Sequence, residues 1–310
     1  MEKSPEKLKI LERIENLEKQ GIFDQDVEDD PETIELLPDQ IDYLDKKLKN
    51  KILTRLTLRA GKKFFEGQIK CGNLVIKDII GTENLNNLKK SGAIVTCNHF
   101  HPFDNYIILK ALMPCLKKGR YYKVIREGNY TNPPKGFEMF MRHGDTLPLS
   151  QNRQTMRKFL EAVKVLLGKG NKVLVYPEQS MWWNYRKPKP LKNGAFNFAT
   201  SNNVPILPLF ITMEDTDKID GDGFPIQSHT VHILPPIYPK EGASKAENIN
   251  YMRDENYKMW VKVYEDFYKT PLVYLCDENK DDNQSQSLDT TTIQNIDNST
   301  NQSNNQNIAN

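Results

Sequence analysis

Between residues 73 and 269, short runs rich in β-branched residues alternate with segments whose apolar residues recur at helical spacing. The short runs predict strands at residues 73–80, 93–97, 121–125, 146–149, 172–176, 205–212 and 229–234. Helices are predicted between many of them, at residues 103–113, 152–168 and 192–202, and a last helix over residues 249–269. This alternation predicts an α/β fold with a mostly parallel central sheet flanked by helices.

The first 68 residues follow a different pattern, which predicts an N-terminal helical extension. One amphipathic helix is predicted over residues 4–20, followed by an Asp-rich linker over residues 24–35. A second helix is predicted from near Asp39, with apolar residues at every fourth position: Leu44, Leu48, Ile52 and Leu56. Residues 46–63 hold eight Lys or Arg and no acidic residue, so this helix is basic as well as amphipathic.

We therefore divide the chain into three parts. Residues 1–68 are the helical region and a candidate for membrane-surface contact, and residues 69–275 are the α/β domain. Residues 276–310 are dominated by Asn, Gln, Ser, Thr and Asp, with no aromatic residue after Tyr274. Such a segment cannot bury enough apolar surface to offset its ordering entropy, so we predict a disordered polar tail.

Charge and cysteine content narrow the functional classes. The 43 Lys and Arg nearly balance the 41 Asp and Glu, and a net charge of +2 argues against a nucleic-acid-binding protein. No apolar stretch approaches the roughly 18 residues of a spanning helix, and no secretory signal is expected. The four cysteines form no C-x-x-C pair, so we expect neither disulfides nor a cysteine zinc site, and a cytoplasmic location.

The most informative chemistry lies where the predicted strand 93–97 gives way to a helix. His99 and Asp104 fall at the carboxyl end of that strand, which is where open α/β sheets bind ligands. Four residues separate them, and a tight turn of that length can place the carboxylate on one imidazole nitrogen. The carboxylate would fix the tautomer and leave the other nitrogen free to deprotonate a hydroxyl group. The alternative interpretation is a turn histidine followed by an aspartate that caps the helix.

Several blocks, in order, resemble one enzyme family. Asn98 and His99, with Asp104 five positions after the histidine, resemble the His-x4-Asp signature of the PlsC-like glycerolipid acyltransferases, which include lysophosphatidate acyltransferases. Residues 144–153, 175–180 and 204–209 are similar to the family's next three blocks, and residues 192–196 to its Lys-x-Gly helix start. The resemblance covers roughly residues 90–215.

The resemblance implies a fold, a reaction and a set of site residues. It implies that His99 is the general base and that Asp104 orients it, with no cofactor and with acyl-CoA or acyl carrier protein as the acyl donor. The acceptor would be the hydroxyl of a lysophospholipid-type membrane lipid. The residues that it assigns to substrate binding are Asn98, Gly144, Arg153, Glu178, Gln179 and Ser180.

The chain departs from the family pattern at the positions associated with the acceptor phosphate. Gln179 and Met181 replace a glycine and an arginine of the third block. In the second block the arginine position falls near Gln151, with Arg153 two residues further on. The candidate replacements are Arg142, Arg153, Arg186 and Lys192. The identity of the acceptor therefore stays open, because Arg binds phosphate in a bidentate fashion and Lys only as a point charge.

Two other classes of function remain alternatives. A metal-dependent hydrolase could use His99 and His101 with Asp104, although the aspartate is one residue late for the usual H-x-H-x-D-H pattern. A non-catalytic scaffold could use the basic helix to bind a partner or a membrane surface. For an enzyme that acts on lipids, the same helix predicts peripheral association with the inner face of the cell membrane.

Overall fold

The computed structural model describes residues 2–29, 32–116 and 120–277. Its helices are α1 (Pro5–Lys19), α2 (Leu48–Cys71), α3 (Asp104–Leu112), α4 (Glu127–Thr131), α5 (Glu138–His143), α6 (Arg153–Gly168), α7 (Gly194–Ser201) and α8 (Lys245–Tyr268). Its strands are β1 (Val75–Ile80), β2 (Ala93–Thr96), β3 (Tyr121–Ile125), β4 (Thr146–Pro148), β5 (Lys172–Val175), β6 (Ile206–Ile219) and β7 (Pro225–Ile233). Short 3₁₀ turns span Thr82–Leu88 and Met113–Cys115.

Within the described residues, seven strands form one sheet in the order β1-β7-β6-β2-β5-β3-β4. All neighbouring strands are parallel except β6 and β7, which form an antiparallel pair. The predicted α/β class with a mostly parallel central sheet is therefore confirmed.

The central strand β2 is buried on both faces, as its uninterrupted apolar run predicts. Val95 packs in a cluster with Ile107 and Ile108 of α3. Ile94, on the opposite face, packs in a second cluster that contains residues of α6 and α7. Helices on both faces leave the ends of the strands as the accessible part of the sheet, and the carboxyl end of β2 carries the candidate site.

The N-terminal residues are packed onto the α/β domain. Ile10 and Ile14 of α1 are buried in a cluster with Trp183 and Phe224. The segment predicted as a linker does not behave as one, since Val27 has no exposed surface. We call residues 20–29 the N-terminal strap, because they lie across the segment that follows β5.

Polar contacts with the segment after β5 hold the strap in place. The Ser180 hydroxyl donates to the carbonyl of Phe23 at 3.1 Å, and the Trp182 indole N–H donates to the carbonyl of Gln25 at 2.9 Å. Lys192 forms an ion pair with Asp24 at 2.7 Å. The acidic residues of the predicted linker therefore include partners of the folded domain, which composition alone does not reveal.

Several element boundaries differ from prediction. The helix expected from near Asp39 begins at Leu48, because the Asp42 carboxylate accepts from the backbone N–H of Lys47 and the side chain of Asn50 just before it. The short helices α4 and α5 were not predicted. Strands β6 and β7 extend toward each other as a long hairpin.

In the part of the chain that the structure describes, no helix is both long enough and apolar enough to cross a membrane. Beyond Asp277, the tail predicted to be disordered lies outside the described residues.

Candidate active site

The candidate site is built on the loop between β2 and α3. The strand ends at Thr96, and Asp104 is the first residue of the helix. His99 Nδ1 lies 2.7 Å from Asp104 Oδ2, and the backbone N–H of Phe100 donates to the same oxygen at 3.4 Å. The structure thus brings together the two residues whose spacing predicted a contact.

Hydrogen bonding and helix geometry place the Asp104 carboxylate where it orients the imidazole. The Asp104 side chain is fully buried, whereas that of His99 keeps 19% of its surface exposed. A carboxylate in the first turn of a helix is stabilised by the helix dipole. Since a carboxylate only accepts hydrogen bonds, Nδ1 of His99 carries the proton. Nε2 then carries an unshared lone pair, and it has no hydrogen-bond partner in the described part of the chain.

Tyr176 is the third member of the cluster and was not singled out from the sequence. Its hydroxyl donates to Asp104 Oδ1 at 2.5 Å. Its ring lies parallel to the His99 ring, with the centroids 3.8 Å apart and 12° between the planes. Thr96 of β2 pairs with Val175 of β5 in the sheet, which brings the residues that follow the two strands together.

Glu178 and Asn98 hold the backbone of this loop. Glu178 is buried, and its carboxylate accepts from the backbone N–H of His99 at 3.1 Å and of Lys189 at 2.8 Å. Asn98 is buried too, and its amide exchanges two hydrogen bonds with the backbone of Ile211, at 2.8 and 3.0 Å. The structure therefore gives these two predicted substrate-binding residues backbone contacts that fix the loop.

Burial changes the acid–base behaviour of the groups behind the loop. It raises the pKa of the Glu178 carboxyl above its ordinary value, against the opposing effect of the Lys189 charge. Burial also lowers the pKa of the Lys189 ammonium to about 8, although the charge of Glu178 opposes that shift. The ammonium donates to the carbonyl and the hydroxyl of Ser180, at 2.7 and 2.9 Å. Glu178 and Lys189 thus connect the loop between β2 and α3, which we call the catalytic loop of the candidate site, to the segment beneath the strap.

Ser180 and Gln179, also predicted to bind substrate, lie in different surroundings. Ser180 is fully buried between Lys189 and the strap. Gln179 is exposed, and its φ of 69° is in the left-handed region that favours glycine. The resembling family block has glycine at this position, so the backbone geometry explains that preference.

The second block contributes Gly144 and Arg153. Gly144 follows α5, and a Cβ atom there would lie 2.3 Å from the carbonyl oxygen of Phe140, so the position requires glycine. Arg153 begins α6 with an exposed side chain that forms no hydrogen bond or ion pair with any described residue.

The other candidate cations are already engaged. Arg142 donates to the carbonyl of Tyr130 at 3.3 Å. Arg186 pairs with Asp215 at 2.7 Å, and Lys192 pairs with the strap as described above. Of the four candidates for binding an anionic group, Arg153 is therefore the one without a partner among the described residues.

The geometry gives no support to the metal-hydrolase alternative. His101 Nδ1 accepts from the backbone N–H of Phe103 at 3.1 Å, and His99 Nδ1 contacts Asp104. Burial lowers the pKa of His101 to about 4. Across residues 2–29, 32–116 and 120–277, no three His, Cys, Asp or Glu side chains are grouped to hold a metal ion.

A cavity of about 310 Å³ lies away from the His99–Asp104 pair, at the start of α2. Its lining includes Lys47, Lys49 and Asn50 of that segment and His143 of α5. Since His99 does not line it, we assign the chemistry to the residue pair rather than to this cavity.

Part of the chain matches a known protein family. Residues 78–212 match the acyltransferase family model, a range that contains His99, Asp104, Tyr176 and Glu178. A search of curated protein sequences gave no significant match. Among solved structures, the chain is similar to the 1-acyl-sn-glycerophosphate (LPA) acyltransferase PlsC from Thermotoga maritima, with 19% identity and a TM-score of 0.48. That match covers 71% of this chain and 84% of the other. The match to the acyltransferase family model therefore covers the segment that carries the candidate site.

Proposed function

We propose that this protein transfers a fatty acyl group from an acyl thioester to the hydroxyl of a lysophospholipid-type acceptor, in phospholipid synthesis. The observation that carries the proposal is the 2.7 Å contact between His99 and Asp104 at a strand end, inside the acyltransferase-family domain. The acyl donor is acyl-CoA or acyl carrier protein, and the reaction uses no cofactor.

The proposed reaction proceeds through a tetrahedral intermediate. Nε2 of His99 takes the proton of the acceptor hydroxyl while the hydroxyl oxygen bonds to the thioester carbonyl carbon. The π electron pair of the carbonyl moves onto the carbonyl oxygen. The carbonyl then re-forms as the carbon–sulfur bond breaks, and the bonding pair leaves with sulfur. The imidazolium returns its proton to the thiolate, so the products are an ester and a free thiol. Asp104 stabilises the imidazolium between the two transfers.

The predicted substrate-binding residues fall into two groups, those with exposed side chains and those whose side chains are engaged with other protein groups. Arg153 and Gln179 have exposed side chains, and we propose that they meet the acceptor. Arg153 offers a planar guanidinium to a phosphate or another anionic headgroup. For Asn98, Glu178 and Ser180, whose side chains are engaged with protein groups, we propose an indirect contribution through the shape of the loop.

We extend the proposal to the membrane surface, on the inner face of the cell membrane. Leu48, Ile52 and Leu56 of α2 keep 72%, 51% and 51% of their surface exposed. At 3.6 residues per turn they lie opposite the buried Thr54, Thr57 and Gly61. A helix with an unburied apolar stripe among lysines and arginines is suited to an anionic lipid surface.

Helix α2 also touches the catalytic loop, which supports a link between lipid contact and catalysis. The Phe65 ring lies 5.3 Å and the Phe64 ring 5.9 Å from that of Phe103, measured between centroids. Phe103 in turn lies 5.1 Å from the ring of His101. A row of aromatic side chains therefore connects α2, where we propose that lipid binds, with the catalytic loop.

The proposal is tested by an activity panel with the full-length protein. Acyl-CoA and acyl carrier protein donors are paired with lysophosphatidate, glycerol 3-phosphate and neutral lysolipids, and the ester product is identified by mass spectrometry. We expect product from at least one lysolipid pair, with free thiol formed in equal amount. Absence of any acylated product across the panel would refute the proposal.

A further inference from the structure

Asp104 has two carboxylate oxygens, and the His99–Asp104 pair uses one of them. The other, Oδ1, accepts the hydroxyl of Tyr176 at 2.5 Å, inside a site where Asp104 has no exposed surface. Charge-assisted hydrogen bonds of this length are stronger than those between neutral groups. Tyr176 thus contacts the residue that orients the base, although it lies 72 positions away in the chain.

The Tyr176 ring constrains the same pair from a second direction. It stacks on the His99 ring at 3.8 Å and 12°, so the imidazole is held by Asp104 at Nδ1 and by Tyr176 across its face. Tyr176 follows the last residue of β5, and Pro177 comes next, which favours an extended backbone at the tyrosine. The strand register and the following proline therefore fix the point from which the ring reaches the site.

A second tyrosine nearby provides a comparison. Tyr121 of β3 is buried, and the negative charge of Asp104 adds to burial in raising the pKa of its phenol. However, its hydroxyl has no hydrogen-bond partner among the described residues. The Tyr176 phenol also has its pKa raised, first by burial and then by the charge of Asp104, so it remains a protonated donor. The two tyrosines differ in the hydrogen bond to Asp104, which only Tyr176 makes.

We propose that Tyr176 is a positioning residue of the catalytic pair: its hydroxyl fixes the Asp104 carboxylate and its ring fixes the His99 imidazole. The inference rests on the proposed function for its catalytic consequence, but the positioning itself is a property of the folded protein. Tyr176 acts through the other two residues and takes no part in the bond changes.

Other titratable groups also face the pair and must be considered in any pH experiment. They come from several elements: Cys97 after β2, His101 in the catalytic loop, Tyr121 in β3, Glu178 after β5 and His229 in β7. All of these side chains are present in both the wild type and Tyr176→Phe, so a difference between those two proteins reports on the Tyr176 hydroxyl.

The test compares Tyr176→Phe with Tyr121→Phe in the full-length protein. The first substitution keeps the ring and removes the hydrogen bond. The second removes a buried hydroxyl for which the described part of the chain offers no partner. Without the Tyr176 hydroxyl, the Asp104 carboxylate holds the protonated imidazole more tightly. We therefore expect the NMR titration of His99 to move to higher pH by about 0.5–1 unit in Tyr176→Phe, and to be unchanged in Tyr121→Phe.

Kinetics give the second readout. In Tyr176→Phe, kcat should fall about 10- to 100-fold with little change in KM, and the acidic limb of the pH profile of kcat/KM should move in the same direction as the titration. Identical His99 titrations in wild type and both variants would overturn the inference. An inactive wild-type protein would instead refute the proposed acyl transfer, and the titration would still decide the role of Tyr176.

Discussion

A single buried carboxylate organises the residues at the site. Asp104 contacts His99 through one oxygen and Tyr176 through the other, and it lies at the start of α3. Burying an ionised carboxylate is costly unless donors and a favourable field surround it. Here His99, Tyr176 and the first turn of α3 surround the carboxylate, so both of its oxygens have partners without exposure to water.

The backbone at Gln179 gives a prediction at the same scale. A residue with a side chain costs roughly 1 kcal/mol in the left-handed region, and Gln179 has φ of 69°. Because glycine avoids that cost but gains freedom in the unfolded chain, Gln179→Gly should stabilise the protein by up to about 1 kcal/mol in urea unfolding. Asn203→Gly, at φ of 50°, is the matched control and should gain less, since asparagine tolerates this region better. A loss of stability in Gln179→Gly would contradict the interpretation.

At the residue scale, the sequence indicates contacts between residues that are close in the chain, but not contacts between residues that are far apart in it. The spacing of His99 and Asp104 allows a contact within one turn, with a helix-capping aspartate as the alternative, and the structure shows the contact. Tyr176 was missed because its contacts depend on the register between β2 and β5, which single-sequence patterns do not specify. The resemblance brought Glu178 and Asn98 to attention, but their hydrogen bonds to backbone groups emerged only with the fold.

Among the elements, α2 combines an exposed apolar stripe with a basic face, and this leads to a prediction about membrane binding. Replacing Leu48, Ile52 and Leu56 together by Gln should reduce sedimentation with phosphatidylglycerol-containing vesicles at low salt by more than about tenfold. The reason is that each substitution removes the favourable free energy of burying an apolar side chain in the membrane interface. High salt should weaken wild-type binding as well, because the lysine and arginine contribution is screened.

The control uses exposed leucines on another helix. Leu8 and Leu11 of α1 are also partly exposed, and their replacement by Gln should leave vesicle binding unchanged. Equal binding by the α2 variant and wild type would show that the stripe does not contact lipid.

Sequence patterns predicted the elements unevenly, for physical reasons. The predicted strands β2, β3 and β5 agree with the structure almost to the residue, since each is a short run rich in β-branched or aromatic residues. Periodicity predicts a start of α2 near Asp39, whereas the helix begins at Leu48. The Asp42 carboxylate accepts from the backbone N–H of Lys47, just before the helix, and periodicity does not reveal such a hydrogen bond. Helices α4 and α5 have five and six residues, too few for a periodic signal.

For the molecule as a whole, the N-terminal residues are integrated with the α/β domain rather than joined to it by a free linker. The strap contacts the segment after β5, and that segment returns to the catalytic loop through backbone hydrogen bonds. The backbone N–H of Trp182 donates to the carbonyl of His99 at 3.2 Å, and the backbone N–H of Asn184 donates to the carbonyl of Phe100 at 3.0 Å. The site is therefore supported from three parts of the chain that lie far apart in sequence.

The central claim is that Nε2 of His99 is the base for acyl transfer, and the most direct test is the rate of ester formation by His99→Ala. His143→Ala is the matched control, since His143 lies in α5 beside a separate cavity. We predict that His99→Ala loses at least about 10³-fold in kcat, with an unchanged circular dichroism spectrum, while His143→Ala stays near the wild-type rate. A folded His99→Ala variant that transfers acyl groups at close to the wild-type rate would contradict the account.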